Sequence, residues 1–172
     1  EFKNKILIIP ALLRKEFYNI KKNSDFSENI NLLIIGGSQR AKLFDTAIKD
    51  SIIQLSKKYK LKIFQQTNLN NYNNLKNFYL KNKIENQLFD FNEDISCFMK
   101  KSNICITRAG ASTLAELIFL NIAHIAIPLP SAKDNHQYEN AVFYQNLGCN
   151  WVVHQNKNNN ANLANLTDEL FN

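Results

Sequence analysis

Gly110 stands between an arginine and a row of small side chains in the stretch TRAGASTLAE. The glycine follows the strand-like run ICIT and precedes a helix-like segment. Small residues at such a junction leave backbone N–H groups free at the helix start, where they attract an anion such as phosphate. Glu116 lies one turn further on, where a carboxylate is well placed to accept two hydroxyl hydrogen bonds from a ribose.

The same stretch has a simpler interpretation as a helix cap. Ser112 or Thr113 would be the N-cap, and Glu116 its capping-box partner, since Thr113 and Glu116 have the S/T-x-x-E spacing. For this motif taken alone, the capping interpretation is favoured.

A second glycine loop follows the apolar run LLII. Gly36 and Gly37 allow a tight turn and the close approach of a ligand, Ser38 offers a hydroxyl, and Gln39 precedes a helix that begins near Ala41. This is neither a Walker motif nor the dinucleotide GxGxxG pattern. Taken alone, a glycine turn followed by a serine or glutamine cap is about as likely an explanation as an anion site.

A third loop, LPSAKDNHQYENA, collects polar side chains at a helix start. They are Asp134, Asn135, His136, Gln137 and Asn140. Positions 136 or 137 and 140 are one turn apart and share a face. Amides and an imidazole supply both donors and acceptors, which suits a polyhydroxylated ligand such as a sugar. A capped helix start would explain Asp134 but not the others.

Six apolar runs predict the strands that position these loops: Leu32–Ile35, Leu61–Phe64, Gln87–Phe89, Ile104–Thr107, His124–Ile127 and Trp151–Val153. Each pair is separated by a segment long enough for a helix. The runs are continuously apolar, which is typical of a parallel sheet covered on both faces. We therefore expect an α/β, Rossmann-like doubly wound domain with the three loops converging at one sheet edge, as a pocket for a nucleotide, its pyrophosphate and a sugar.

Two of the intervening segments have a helical repeat of apolar or small residues. In the first segment the repeat predicts one helix whose inner face carries Leu43, Ala47, Ser51, Leu55 and Tyr59. In the fourth it predicts a face formed by Leu114, Leu117, Ile118 and Asn121. The polar stretch 156–165 predicts a loose loop before a short final helix at 166–171.

The length of 172 residues predicts one domain without an inner boundary. The net charge is +6. A basic surface could serve nucleic acid, anionic lipid or a phosphorylated substrate. The stronger interpretation is a codon bias towards A and T, which enriches Asn, Lys and Ile, with the charges on solvated faces. The chain begins with Glu1 and its only methionine is Met99, so we expect a processed, truncated or incomplete protein.

The cysteines predict a reducing compartment. Cys97, Cys105 and Cys149 are odd in number, lie in apolar contexts and lack metal-ligand spacing, so we expect reduced core thiols in a cytoplasmic protein and no metal site. No segment has the roughly 20 apolar residues of a membrane span or the pattern of a signal peptide.

Several motifs together resemble a known family. The segments GGSQRA, IFQQT, FNEDISCFMKKSNICITRAGASTLAEL, IPLPSAKDNHQYENA and LGCNWVV are similar, in order and spacing, to the C-terminal half of the MurG family within glycosyltransferase family 28. The resemblance covers roughly residues 30–153. It implies the donor-binding half of a GT-B enzyme, with 1–29 as an interdomain segment and 30–172 as the UDP-sugar-binding domain.

The resemblance also implies roles for individual residues near the diphosphate and the nucleoside. The loop of Gly37, Ser38 and Gln39 would contact the donor diphosphate or the adjoining sugar, and the backbone of 110–113 would approach the diphosphate, with Arg108 framing the pocket. Glu116 would hold the ribose hydroxyls and the backbone around Asn92 would meet the uracil.

Two further assignments come from the same resemblance. The sugar hydroxyls of N-acetylglucosamine would be contacted by His136, Gln137 and Asn140. Arg14 would match an arginine at the end of the interdomain segment. The chain departs from the family pattern at Arg40, where the family has glycine, at Asn92, where it has an apolar residue, and at Ala123, where it has proline.

The implied reaction is inverting transfer of N-acetylglucosamine from its UDP conjugate to undecaprenyl-pyrophosphoryl-N-acetylmuramyl-pentapeptide, in peptidoglycan synthesis. It requires no cofactor or metal. The general base and the lipid-binding surface would belong to an N-terminal domain, and the whole protein would associate peripherally with the cytoplasmic face of the bacterial inner membrane. The alternatives are a stand-alone UDP-sugar-binding subunit, a UDP-sugar hydrolase, and a non-catalytic nucleotide- or nucleic-acid-binding module.

Overall fold

A six-stranded parallel sheet forms the centre of the molecule. The computed structural model describes residues 12–20, 29–37, 42–90 and 94–155, with only the backbone of 42 and 43. The strand order is β3-β2-β1-β4-β5-β6, and all five pairings are parallel. The strands are β1 (Asn29–Ile35), β2 (Lys60–Gln66), β3 (Glu85–Phe89), β4 (Ile104–Thr107), β5 (Ala123–Ala126) and β6 (Asn150–Val152). This confirms the predicted Rossmann-like fold.

The helices connect these strands. They are α1 (Lys42–Thr46), α2 (Lys49–Lys58), α3 (Leu69–Lys81), α4 (Ile95–Lys100), α5 (Ala111–Phe119) and α6 (His136–Asn146), with 3₁₀ helices at Lys15–Asn19 and Lys133–Asn135. The chain runs outwards from β1 to β3 and then returns to β4 on the other side of β1. The strand order therefore reverses between β1 and β4, which is where open α/β sheets have a crevice for ligands.

The first predicted helix is two helices, α1 and α2, separated by a turn at Ala47 and Ile48. Ser51 and Leu55 are buried as predicted. Ile48 enters the core from the turn and is only 2% exposed. The prediction of a single helix was therefore wrong. The four-residue repeat continues across this turn, so the sequence pattern does not reveal it.

Three helices end in the same way. After α5, the N–H of Ile122 donates to the carbonyl of Leu117 and that of Asn121 to Ile118, with Asn121 at φ 50°. This is a Schellman motif, in which a left-handed residue closes the helix. The predicted inner-face position of Asn121 was wrong, since it lies beyond the helix and is exposed. The equivalent left-handed residues after α3 and α6 are Lys83 and Gly148.

Alternate residues of β1 lie in two different clusters of the core. Leu32 and Ile34 pack with residues of α1, α2 and α3. Leu33 and Ile35 lie in the opposite cluster with residues of α4 and α5. The 3₁₀ helix Lys15–Asn19 places Phe17, fully buried, in this second cluster, so part of the segment assigned to 1–29 packs directly on the domain.

The cysteines differ in environment. All three are free thiols, as predicted. Cys105 is buried in the second cluster, whereas Cys97 is exposed and Cys149 is half-buried. The prediction of a core position was therefore wrong for Cys97, whose Sγ donates to Asp94 at 2.9 Å.

Within the described ranges, no helix is both long and apolar enough to span a bilayer. The predicted loop at 156–165 and helix at 166–171 lie outside the described residues.

Candidate functional site

The three loops singled out in the sequence all follow the carboxyl ends of strands. Gly36 and Gly37 follow β1, residues 108–110 follow β4, and the segment beginning at Pro128 follows β5. Because β1 pairs with β4 and β4 with β5, the loops share one edge of the sheet. Asn140 Nδ2 donates to the carbonyl of Ala109 at 3.1 Å, which joins the third loop's helix to the second loop.

Helix α5 begins at this edge without a side-chain cap. Gly110 is its N-cap, and among the described residues no side chain accepts a hydrogen bond from the first turn. The N–H groups of Ala111, Ser112 and Thr113 belong to that turn, where an α-helix provides no internal acceptors. The capping alternative was wrong for this structure, because Thr113 lies inside the helix and Glu116 bonds elsewhere.

The glycine at 110 is required neither by the backbone nor by packing. Its φ and ψ are −71° and 132°, which any residue can adopt. A Cβ added there would meet only Thr113 Oγ1, at 3.9 Å, an ordinary contact. A side chain would nevertheless cover the helix start. Gly37 differs, since its φ of 70° itself favours glycine.

Glu116 and Arg14 form a bidentate ion pair. Arg14 Nε lies 2.6 Å from Oε1 and Nη2 lies 2.8 Å from Oε2. The side chain of Glu116 is 1% exposed and that of Arg14 41%. The hydrogen bonding of Arg14 to the Glu116 carboxylate, although opposed by burial, raises the pKa of Arg14 above its usual value. Two residues predicted as separate ligand contacts thus bind one another across 102 positions.

Arg14 is also held by its own segment. Its Cζ lies 5.1 Å from the centroid of the Phe17 ring, and Phe17 is fully buried. Arg14 is the N-cap of the 3₁₀ helix Lys15–Asn19, which therefore positions its backbone. The guanidinium of Arg14 reaches from there to Glu116 of α5.

Arg108 braces two strand ends. Its Nη1 donates to the carbonyls of Ile127 at 3.0 Å and Pro128 at 3.2 Å, and its Cζ lies 5.2 Å from the centroid of the Phe44 ring. Burial lowers the pKa of the Arg108 guanidinium. These contacts hold the loops after β4 and β5 against α1.

Helix α6 starts with two consecutive left-handed residues, Asp134 at φ 51° and Asn135 at φ 55°. Asx residues tolerate this conformation better than other residues with a Cβ. Asp134 is not the cap that its position predicted, because Asn135 occupies the N-cap position, without a side-chain bond.

Two amide side chains of α6, those of Gln137 and Asn140, each use one of their two polar groups in a hydrogen bond within the protein. Gln137 Oε1 accepts from the N–H of Leu129 at 3.0 Å, and Asn140 Nδ2 donates to Ala109. Among the described residues, no hydrogen bond uses Gln137 Nε2 or Asn140 Oδ1. The two amides therefore retain a donor and an acceptor. His136 is exposed, and its Nδ1 lies 2.7 Å from the carbonyl of Lys133.

A buried network that the sequence did not predict joins helices α1 and α3 to the end of β2. Asp45, 5% exposed, accepts from Gln65 Nε2 at 3.1 Å, Thr67 Oγ1 at 3.2 Å and Asn71 Nδ2 at 2.7 Å. Tyr79 donates to Gln65 Oε1, and burial, with the charge of Asp45, raises the pKa of Tyr79. The signal in the sequence was the polar ending QQT, which directly follows the apolar residues Ile63 and Phe64.

Some predicted contacts lie outside the described residues: Ser38, Gln39 and Asn92. The same applies to Arg40. In the part of the chain that the structure describes, no group of three or more His, Cys, Asp or Glu side chains could hold a metal ion.

Comparisons with known proteins agree with this architecture. The profile of the Glycosyltransferase family 28 C-terminal domain matches residues 31–172. A protein of Pelagibacter ubique (strain HTCC1062), named UDP-N-acetylglucosamine--N-acetylmuramyl-(pentapeptide) pyrophosphoryl-undecaprenol N-acetylglucosamine transferase, is 56% identical over 165 residues, covering 96% of this chain and 46% of that protein. A protein of the same name from Rickettsia canadensis (strain McKiel) is 38% identical over 174 residues, covering 98% and 48%.

A solved structure is similar as well. The crystal structure of Acinetobacter baumannii MurG matches with a TM-score of 0.76 and 29% identity, over 86% of this chain and 43% of that one. The chain thus spans about half the length of the relatives that it matches.

Proposed function

Because the chain belongs to glycosyltransferase family 28, we propose that it is the donor-binding half of an inverting transferase that takes N-acetylglucosamine from its UDP conjugate. The acceptor would be undecaprenyl-pyrophosphoryl-N-acetylmuramyl-pentapeptide. The observation that carries the proposal is the buried carboxylate of Glu116 on the same helix as the uncapped start at Gly110. This arrangement pairs a ribose acceptor with a diphosphate site.

The start of α5 would bind the diphosphate. Its free N–H groups and helix dipole favour negative charge, and the absent side chain at Gly110 lets phosphate oxygens approach the backbone. Negative charge grows on UDP as the sugar leaves, so donors fixed in advance at this point would lower the barrier. The Gly36–Gly37 loop, with Ser38 and Gln39, would complete this part of the site.

Glu116 would accept the two ribose hydroxyls. The carboxylate is already held by two N–H donors from Arg14, so a ribose must replace or share these bonds. We expect Arg14 to release at least one oxygen when the donor binds. Its guanidinium would then be available to the anionic diphosphate.

The third loop would contact the sugar. The unused ends of the Gln137 and Asn140 amides supply one donor and one acceptor beside Ala109, and His136 adds an exposed imidazole. Hydroxyl groups of a sugar need both kinds of partner. Arg108 would hold this loop in place, and the backbone near Asn92 would meet the uracil.

The remaining parts of the reaction would come from outside these residues. The acceptor hydroxyl needs a general base, which we assign, with the lipid-binding surface, to the N-terminal half of the relatives. The whole enzyme would work as a peripheral protein on the cytoplasmic face of the inner membrane.

Calorimetric titration with UDP-N-acetylglucosamine tests the donor site. Replacing Glu116 with Gln removes the charge from an acceptor of two hydroxyl bonds, and bonds to charged groups contribute roughly 1.5–3 kcal/mol. We expect the dissociation constant to rise by about tenfold to a hundredfold. Glu139→Gln, an exposed change on α6, is the matched control. Absence of binding by the wild-type chain, or equal affinity in Glu116→Gln, would contradict the assignment.

A further inference from the structure

Strand β2 ends in two glutamines whose side chains have different environments. Gln65 is fully buried and saturated: its Nε2 donates to Phe44 and Asp45, and its Oε1 accepts from Tyr79. Gln66 is 7% exposed, and its Oε1 is sealed from solvent without a partner. Among the described residues, no hydrogen bond joins the amide of Gln66 to another group.

The surroundings of Gln66 are apolar. It lies on the same face of β2 as Phe64, since side chains two apart share a face. It pairs with Phe89 of β3, and because Gln65 pairs with Ile34, it lies beside Ile35 of β1. Phe64, Phe89 and Ile35 all belong to the second core cluster. Methionine or leucine would suit this environment better than an amide without a partner, so the fold alone does not explain the glutamine.

The position of Gln66 places it at the candidate site. It is the last residue of β2, at the edge from which the ligand loops extend, and on the sheet face that packs against Phe17 and Leu117. Arg14 and Glu116 belong to the segments that carry Phe17 and Leu117, so their ion pair lies on the same side of the sheet as Gln66. Two strand spacings, roughly 10 Å, separate β2 from β4 and the start of α5. A nucleoside can bridge such a distance.

We propose that Gln66 contacts the base of the nucleotide donor. The edge of uracil presents an N–H between two carbonyl oxygens, and a carboxamide offers one acceptor and one donor group to match it. Rotation of the side chain lets either end of the amide face the ligand. A base in this place would give the amide of Gln66 the partner that it lacks among the described residues. This inference rests on the proposed function and adds a specificity residue to it.

The test compares Gln66→Met with Gln65→Met, two substitutions that keep side-chain length and remove an amide. For Gln66→Met we expect UDP to bind about tenfold more weakly, while the midpoint of thermal unfolding stays the same or rises, because a buried group without a partner is removed. Gln65→Met should lower the unfolding midpoint, because Asp45 and Tyr79 lose a partner. Inorganic pyrophosphate, which lacks a base, should compete equally well in wild type and Gln66→Met.

The outcomes separate the inference from the function on which it rests. If wild type binds UDP and Gln66→Met binds it equally well, the inference is wrong and the donor site stands. The inference is also wrong if Gln66→Met loses thermal stability as Gln65→Met does, or if pyrophosphate binding falls as much as UDP binding. If wild type binds no UDP, the proposed function fails and the inference fails with it.

Discussion

The carboxylate of Glu116 is buried and paired with an arginine 102 residues earlier in the chain. The local spacing of Thr113 and Glu116 fits a capping box, but Gly110 is the N-cap and Glu116 points to Arg14 instead. A charged acceptor with two strong donors is more stable buried than one bonded to a single backbone N–H. At the scale of single residues, partners distant in sequence therefore decide the roles.

His124 is a second residue whose environment predicts a measurable effect. It is fully buried, its Nδ1 lies 3.0 Å from the carbonyl of Ile122, and its Nε2 has no partner in the described structure. Burial lowers the pKa of His124 below 6.5, although the bond to Ile122 opposes this. The neutral imidazole is therefore the form that the fold accommodates.

The expected consequence is a loss of stability in acid. As the pH falls below about 6.5, the unfolded chain binds a proton at His124 that the folded chain does not, so the free energy of unfolding decreases. Urea unfolding between pH 7.5 and 5.5 should show a smaller decrease for His124→Gln than for wild type. If the free energy of unfolding of His124→Gln fell with pH as steeply as that of wild type, His124 would not be the source of the acid sensitivity.

The elements of the domain are ended by backbone geometry as much as by side chains. Helices α3, α5 and α6 each close with a Schellman motif, and the left-handed position is occupied by Lys83, Asn121 and Gly148 respectively. Glycine and asparagine adopt this conformation readily, whereas in lysine the Cβ makes it unfavourable. The end of α3 is therefore the strained member of the three.

Replacing Lys83 with glycine should stabilise the protein. The left-handed conformation costs a residue with a Cβ roughly 1–2 kcal/mol, and the greater freedom of glycine in the unfolded chain offsets part of the gain. We expect a net increase in the free energy of unfolding of up to about 1 kcal/mol, measured by urea denaturation. The same substitution at Lys76, inside α3, should instead destabilise by about 1 kcal/mol. A loss of stability in Lys83→Gly would show that contacts of the lysine side chain stabilise the fold by more than its left-handed backbone conformation costs.

At the scale of the whole molecule, the three loops that follow β1, β4 and β5 lie at the edge of the sheet where the strand order reverses. Residues of the loop after β4 and helix α6 are joined by Asn140, and the Asp45 network attaches α1 and α3 to the end of β2. The edge is thus held in place by side-chain hydrogen bonds within the protein. The proposed function requires this edge to bind the donor, while transfer also needs a base and an acceptor.

Residues 1–172 as a separate polypeptide should therefore bind UDP-N-acetylglucosamine without transferring the sugar. Release of labelled sugar onto a lipid-linked muramyl-pentapeptide is the measurement, with the full-length Pelagibacter ubique relative as the positive control. Turnover by the separate polypeptide would mean that these residues contain a general base.

The sequence by itself determined the strands, their parallel arrangement and the edge at which the ligand loops meet. Continuous apolar runs and glycine junctions are local properties, so they can be recognised without coordinates. It did not predict the turn between α1 and α2, because the apolar repeat runs across it.

Only the tertiary structure decided which side chains bind one another. The pairing of Arg14 with Glu116, and the different environments of Gln65 and Gln66, depend on elements far apart in the chain that packing brings together. Burial makes such pairings specific, since a polar group removed from water must find its partner inside the protein or in a ligand.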